Sequence, residues 1–239
     1  MGNPRRSAAL EIAVTGVDGV RVASRGGADR VELCSALGLG GLTPSLGLVD
    51  AAVAVGLPVH VLVRPRAGGV VFTATEVEVM VRDIEHLVDA GVAGVVIGVL
   101  TAERTLDRHA VKSLVRAAEG REVTFHRALD VVLDPVSALA ELADLGVRRV
   151  LSSGGATRAI DGFAVLESLV AAADGLEVIA GGGVDVEDIP LLLEAGVDAV
   201  HLSARMLVDD AGPAGPGGAP PRYDATDPDV VARAVAALR

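Results

Sequence analysis

Seven glycines recur along the chain at intervals of 21 to 35 residues, and each stands between a helix-like segment and a short apolar run. They are Gly27, Gly56, Gly91, Gly120, Gly146, Gly175 and Gly196. A glycine in this position supplies the left-handed backbone conformation with which helices commonly end. The repetition of helix, glycine and strand predicts consecutive βα units, and hence an α/β fold of the (β/α)8 TIM barrel type.

The apolar runs predict eight strands, at residues 10–14, 30–34, 59–64, 94–100, 122–128, 147–153, 176–181 and 199–204. Because the chain has 239 residues, close to the roughly 250 of a typical barrel, we expect one domain over residues 9–239. We expect residues 1–8 to form a disordered tail. The Pro/Gly-rich residues 209–226 have no periodicity and are predicted to form a long loop before the last helix.

The clearest helix is predicted at residues 76–89, where apolar side chains recur every three or four residues and Met80 belongs to the buried stripe. Thr75 and Glu78 have the spacing of a capping box. Asp134 and Asp227 each precede a proline, an order typical of a helix start.

Composition limits the functions that the chain can serve. The net charge of -11 opposes contact with phosphate backbones, and no Lys/Arg cluster reverses it locally, so we expect no nucleic-acid partner. No uncharged apolar run approaches the 18 residues of a membrane span and no export signal opens the chain, so we expect a cytoplasmic protein without a membrane partner. The single cysteine, Cys34, excludes an intramolecular disulfide.

Side chains alternate along a strand, and the apolar positions should face the helices, so the remaining positions face the barrel interior. This rule assigns polar side chains to the interior of several strands: Glu11, Glu32, His60, Arg64, His126 and His201. Glu11, Glu32, Arg64 and His126 are the candidate catalytic residues, and we expect them to form one site in which Arg64 contacts a glutamate directly or through one water or ligand. The alternative is an ion network that satisfies itself and only stabilises the barrel.

Loops after four strands carry the donors that an anion requires. Two arginines stand in a glycine-rich turn, a third follows His126, two serines precede a glycine pair, and a triple glycine follows the seventh strand. The candidate anion-binding residues are therefore Arg64, Arg66, Arg127, Ser152, Ser153, Gly181, Gly182 and Gly183. A small anionic ligand is the predicted partner, although tight turns and surface salt bridges would use the same residues.

Five segments within residues 10–205 together resemble one family of proteins: RVELCSALGLGGLTPSLG, HVLVRPRAGG, TFHRALD, VLSSGG and IAGGGV. They are similar to the CutC family of copper homeostasis proteins. The resemblance implies a cytoplasmic TIM barrel that forms a homo-oligomer, a dimer or a tetramer, and that is linked to copper binding or tolerance. It also implies copper ligands among cysteines on the first two strands.

Only one of those cysteines is present here, because Ala13 stands where family members often have the other. The candidate metal ligands are Cys34, His60 and His201, with copper as the implied cofactor. Cu(I) prefers two or more soft donors, so we expect weak copper binding. Two other functions stay open: a lyase or isomerase for a small phosphorylated or carboxylated substrate, with Glu32 or His126 as the base and Arg64 as the clamp, and a non-catalytic scaffold.

Overall fold

The computed structural model describes residues 8–212 and 222–239. Within them eight parallel strands pair in chain order and close into a barrel, which confirms the predicted TIM fold. The strands are β1 (Ala9–Val14), β2 (Arg30–Leu33), β3 (Val59–Leu62), β4 (Gly94–Ile97), β5 (Glu122–Phe125), β6 (Arg149–Ser152), β7 (Glu177–Gly181) and β8 (Ala199–Leu202). Each overlaps its predicted segment. Residues 1–7 of the predicted tail lie outside the described residues.

Helices surround the barrel, and those of the described residues are α1 (Val17–Gly26), α2 (Leu46–Val53), α3 (Ala74–Asp89), α4 (Arg108–Ala117), α5 (Pro135–Asp144), α6 (Phe163–Ala172), α7 (Ile189–Glu194) and α8 (Pro228–Ala237). All seven recurring glycines have a positive φ, between 80° and 91°, as predicted. None of the helices in the described residues has both the length and the apolar character needed to cross a bilayer.

Helix α3 begins earlier than its sequence pattern predicts. The capping box consists of Thr73 and Glu76 rather than Thr75 and Glu78, because the Thr73 hydroxyl accepts from the Glu76 amide and the Glu76 carboxylate accepts from the Thr73 amide. The buried stripe includes Met80, as expected. Asp134 and Asp227 cap α5 and α8 through their side chains, which confirms both predicted starts.

The predicted loop at residues 209–226 is wrong at both ends. A two-stranded antiparallel hairpin is formed there by β9 (Arg205–Asp209) and β10 (Arg222–Thr226). Ion pairs join the two strands, Arg222 to Asp209 at 2.6 Å and Arg205 to Asp224 at 3.6 Å. The many prolines and glycines between the two strands favoured the prediction of a loop over the strands themselves. Residues 213–221 of this connection lie outside the described residues.

The apolar core lies mainly between the outer face of the barrel and the helices, where the alternate side chains Leu10, Ile12, Val31 and Leu33 are fully buried. The interior holds only small apolar groups, one around Cys34, Leu62 and Val96 and another around Leu151, Ile179 and Ala199. Ionisable side chains fill much of the remaining interior.

Candidate active site in the barrel interior

Glu11 is the centre of the interior polar cluster. The strand register places His201 and Arg30 directly beside it, on β8 and β2. Its Oε2 accepts from Nε of Arg30 at 2.5 Å, and its Oε1 lies 2.8 Å from Nδ1 of His201. Burial opposes ionisation of Glu11, but the hydrogen bond with His201, the His60 imidazole 3.7 Å away and the charge of Arg30 outweigh it and hold the pKa well below its usual range. Glu11 is therefore a carboxylate with both oxygens engaged.

Glu32 lies beside this cluster but takes no part in its bonds. Its side chain is buried, and among the described residues neither a hydrogen bond nor an ion pair reaches its carboxylate, whose Oε2 is fully enclosed. Burial and the nearby negative charge of Glu11 raise its pKa, although His201 and His60 oppose the shift. One atom each of Glu11, Glu32 and His201 lie within 4.8 Å of one another, so the three form a compact set of donors.

A second ion network occupies the amino-terminal end of the barrel. Gly94 separates His60 from Glu122 in the strand register, and a Cβ at Gly94 would meet both side chains, so only glycine leaves His60 room to approach Glu122 at 3.2 Å. Arg149 then joins Glu122 and Glu177, at 2.6 Å and 2.7 Å. This part of the interior holds ion pairs of the kind considered from the sequence, but Nδ1 of His60 and Nη1 of Arg149 are buried without a hydrogen-bond partner among the described residues.

The sequence interpretation missed four of these charged residues, namely Arg30, Glu122, Arg149 and Glu177. The sequence pattern did indicate them, because each is the first residue of its strand and lies an even number of positions before a residue that faces the interior. Extending the alternation rule by one step towards the amino end of each strand would have found them.

Of the predicted metal ligands, His60 and His201 both lie against Glu11, whereas Cys34 belongs to an apolar group. The Cys34 side chain packs with Leu62 and Val96, whereas His60 faces Glu11 and Glu122. Burial, together with the charges of Glu32 and Asp224, raises the pKa of the Cys34 thiol to about 12. The thiol is thus protonated at neutral pH and resembles a small apolar side chain.

Arg64 forms no hydrogen bond or ion pair with a glutamate of the described residues, so the direct form of that predicted contact is wrong. Its guanidinium donates to the carbonyl oxygens of Leu39, Gly41 and Gly68, and these contacts hold two loops at the end of β3. Arg64 lies two residues beyond Leu62, the last residue of β3. There the geometry of the loop, and not the alternation of a strand, decides where a side chain points.

His126 is also separate from the glutamates. Its Nδ1 accepts from the amide of Ala128 at 3.0 Å, and its ring occupies the space above Gly98, where any Cβ would collide with it. Burial and the charge of Arg64 lower the pKa of His126 to about 4. His126 is a neutral imidazole near the carboxyl ends of the strands.

The donors predicted to bind an anion already hold an anionic side chain of the protein. Asp130 accepts from the hydroxyls of Ser152 and Ser153, at 2.5 Å and 2.8 Å, and from the amide of Ser153. Arg127 also contacts this carboxylate, through a 2.9 Å ion pair to Asp130.

The other predicted anion-binding residues have contacts of their own. Arg66 forms an ion pair with Glu76 and lies 4.9 Å above the ring of Phe72. In the triple-glycine loop, a Cβ at Gly182 would meet the Arg127 guanidinium and one at Gly181 would meet Leu151, while the Gly183 carbonyl accepts from Arg158. Anion binding at these loops stays a prediction.

Comparisons with known proteins agree with the barrel. The model of the CutC family matches residues 8–206. A relative described as family protein CutC, from Klebsiella pneumoniae subsp. pneumoniae, is 46% identical over 198 residues and covers 82% of this chain and 80% of its own length. A second relative of the same description, from Glaesserella parasuis, is 40% identical over 199 residues, with 82% of each chain covered.

Solved structures extend the comparison. A structure described as a candidate copper homeostasis protein CutC, from Streptococcus agalactiae, has a TM-score of 0.78 at 30% identity and covers 81% of this chain and 97% of that one. A thiamine phosphate pyrophosphorylase from Pyrococcus furiosus has a TM-score of 0.60 at 13% identity, with 99% and 98% of the two chains covered. The second likeness is one of fold alone.

Proposed function

Since this chain belongs to the CutC family, we propose that it acts in copper homeostasis, the role named for the similar protein of Streptococcus agalactiae. The observation that carries the proposal is the extent of the family match. Residues 8–206 include all eight barrel strands and therefore every residue of the interior cluster, Glu11, Glu32 and His201 among them.

The donor set supports weak rather than tight Cu(I) binding. Cu(I) prefers at least two thiolate or thioether ligands. Of the soft donors in the described residues, Cys34 is a buried thiol in an apolar cluster, Met80 packs on the outer wall of the barrel and Met206 is exposed on β9. These three sulfurs belong to different parts of the molecule, so the residues present do not fit a Cu(I) site within one chain.

We also propose that the protein works in the cytoplasm as a homo-oligomer, a dimer or a tetramer. A free buried thiol suits a reducing compartment. Three exposed apolar side chains near the start of α5, Val131, Leu133 and Val136, provide a surface for a second copy. A small anionic ligand stays part of the proposal, with the half-exposed Arg127 as its contact.

The alternative function, a lyase or isomerase, receives less support from the geometry. It required Arg64 as the clamp for a phosphate or carboxylate, and that guanidinium is committed to three backbone carbonyls. Of the two proposed bases, His126 already accepts a backbone hydrogen bond through Nδ1, and Glu32 has no contact with the Arg64 guanidinium among the described residues. We therefore keep copper homeostasis as the proposed function.

A complementation experiment tests the proposal. A bacterial host without its own CutC-family gene is given the wild-type protein, Cys34→Ser or an empty vector, and growth and total cell copper are measured over a copper series. We expect the wild type and Cys34→Ser to restore tolerance equally, because a buried, protonated thiol is a poor copper ligand. If the wild type at matched expression does not restore copper tolerance, the proposed copper function is overturned. If the wild type restores tolerance but a folded Cys34→Ser does not, the claim that the function does not need the Cys34 thiol is overturned.

Titration of the reduced protein against a competing Cu(I) chelator tests the binding itself. We expect the chelator to retain the metal, as it would against an isolated His/Cys pair. Stoichiometric binding that survives the chelator and disappears in Cys34→Ser would contradict this expectation.

A further inference from the structure

Glu32 is the one carboxylate of the interior cluster for which the described part of the chain provides no partner. Arg30 forms an ion pair with Glu11, and Arg149 forms ion pairs with both Glu122 and Glu177. Only 8% of the surface of Glu32 is exposed to solvent, and its Oε2 is enclosed without a hydrogen bond. A buried carboxylate of this kind is costly unless it is protonated or a cation lies beside it.

His201 faces the same space and has a nitrogen available. Its Nδ1 is held by Glu11 at 2.8 Å, whereas its Nε2 takes part in no hydrogen bond with a described residue. A histidine whose one nitrogen is held by a carboxylate and whose other nitrogen is unoccupied has the usual arrangement of a metal ligand. Its side chain is 13% exposed, so solvent reaches the ring.

We propose that Glu32 and Nε2 of His201 bind a divalent first-row transition-metal ion in the barrel interior, and that Glu11 orients His201 as its hydrogen-bond partner. One nitrogen of His201 and one carboxylate oxygen from each of Glu11 and Glu32 lie within 4.8 Å of one another, so small side-chain rotations would bring Glu32 and His201 to one ion. Water would complete the coordination. This proposal does not depend on the copper function proposed above, and Cys34 is not one of its ligands.

The donors select the class of metal. Carboxylate and imidazole suit Zn²⁺, Mn²⁺ and Fe²⁺, whereas Cu(I) favours sulfur. The ion would also supply the positive charge that Glu32 lacks. The site thus accounts for a buried carboxylate to which the ion networks of the barrel make neither a hydrogen bond nor an ion pair.

The experiment uses the full-length protein, stripped of metal by dialysis against a chelator. Zn²⁺ and Mn²⁺ are titrated by calorimetry, and bound metal is measured after equilibrium dialysis. The variants are Glu32→Gln, which removes the anionic ligand at constant shape, and Glu11→Gln, which removes the partner of His201. Glu177→Gln is the matched control, because Glu177 faces the interior from β7 but pairs with Arg149.

We expect one Zn²⁺ per wild-type chain, with affinity unchanged in Glu177→Gln. Loss of the orienting carboxylate in Glu11→Gln should weaken binding by roughly 10–100-fold, and Glu32→Gln should weaken it at least as much. In the metal-free state Glu32→Gln should melt no lower than the wild type, because the substitution removes an unpartnered charge. Equal binding by Glu32→Gln and the wild type, or no stoichiometric binding by the wild type, would overturn the proposal.

A spectroscopic measurement on the wild type keeps the proposal testable if a variant fails to fold. Cu²⁺ serves as the probe ion, and its electron paramagnetic resonance spectrum should show coupling to imidazole nitrogen from His201. A spectrum without nitrogen coupling would overturn the assignment of His201 as a ligand.

Discussion

At the residue scale, the environment of a side chain decides its chemistry more than its identity does. His126 and His201 both face the interior, yet burial and the charge of Arg64 lower the pKa of His126 to about 4, whereas Glu11 and Glu32 overcome the burial of His201 and raise its pKa. Sequence alternation could predict that both point inward. It could not predict their opposite shifts, because these depend on neighbours contributed by other strands.

The lowered pKa of His126 predicts a pH dependence of stability. In the unfolded chain the imidazole titrates near its usual pKa, so between about pH 6.5 and pH 4 the unfolded state binds a proton that the folded state does not. The free energy of unfolding should therefore fall as pH falls through this window, by at most about 1.4 kcal/mol per pH unit. Urea unfolding of the wild type and His126→Gln at several pH values measures the difference.

His109→Gln is the control for this experiment, because His109 lies on the exposed face of α4. It should keep the wild-type dependence on pH, whereas His126→Gln should have a shallower one. Parallel curves for the wild type and His126→Gln would show that the His126 ring is not held neutral by burial.

At the element scale, the start of α3 shows why a motif can be recognised and still be misplaced. Thr73 and Thr75 both precede a glutamate by three residues, so spacing alone cannot choose between them. The choice is made by a tertiary contact, because Arg66 binds Glu76 and thereby supports the earlier cap. We expect Thr73→Ala to lower the free energy of unfolding by about 1 kcal/mol, and Thr75→Ala to change it by less than about 0.5 kcal/mol. Chemical unfolding of both variants distinguishes the two caps, and a larger loss in Thr75→Ala would contradict the observed start.

At the scale of the whole molecule, the fold could be predicted because glycine spacing and apolar runs repeat along the chain, whereas the site depends on how eight strands meet. Glu11 and Glu32 lie on adjacent strands, and parity placed them correctly in the interior. Arg64 and Cys34 follow the ends of their strands, and the partners of such residues come from loops that no local pattern specifies. The hairpin likewise depends on pairing between β9 and β10, two strands that lie on either side of a Pro/Gly-rich connection.

The network at the amino-terminal end of the barrel predicts how the whole molecule responds to acid. The hydrogen bond from His60, with the charge of Arg149, lowers the pKa of Glu122 to about 2 although partial burial opposes the shift. Its contribution to stability should be complete above the unfolded pKa of about 4.5 and should be lost as pH falls towards 2. Glu122→Gln should therefore unfold more easily than the wild type at neutral pH, by about 1–2 kcal/mol because water screens the half-exposed carboxylate.

Thermal or urea unfolding from pH 7 to pH 2 measures this loss, with Glu103→Gln on the exposed surface as the control. The wild type and Glu122→Gln should approach each other in stability as pH falls towards 2, because the wild-type carboxylate becomes protonated and its ion pairs with Arg149 and His60 weaken. The control should follow the wild type throughout. A gap between the wild type and Glu122→Gln that is equally large at pH 2 and pH 7 would mean that the shape of the side chain, and not its charge, closes this end of the barrel.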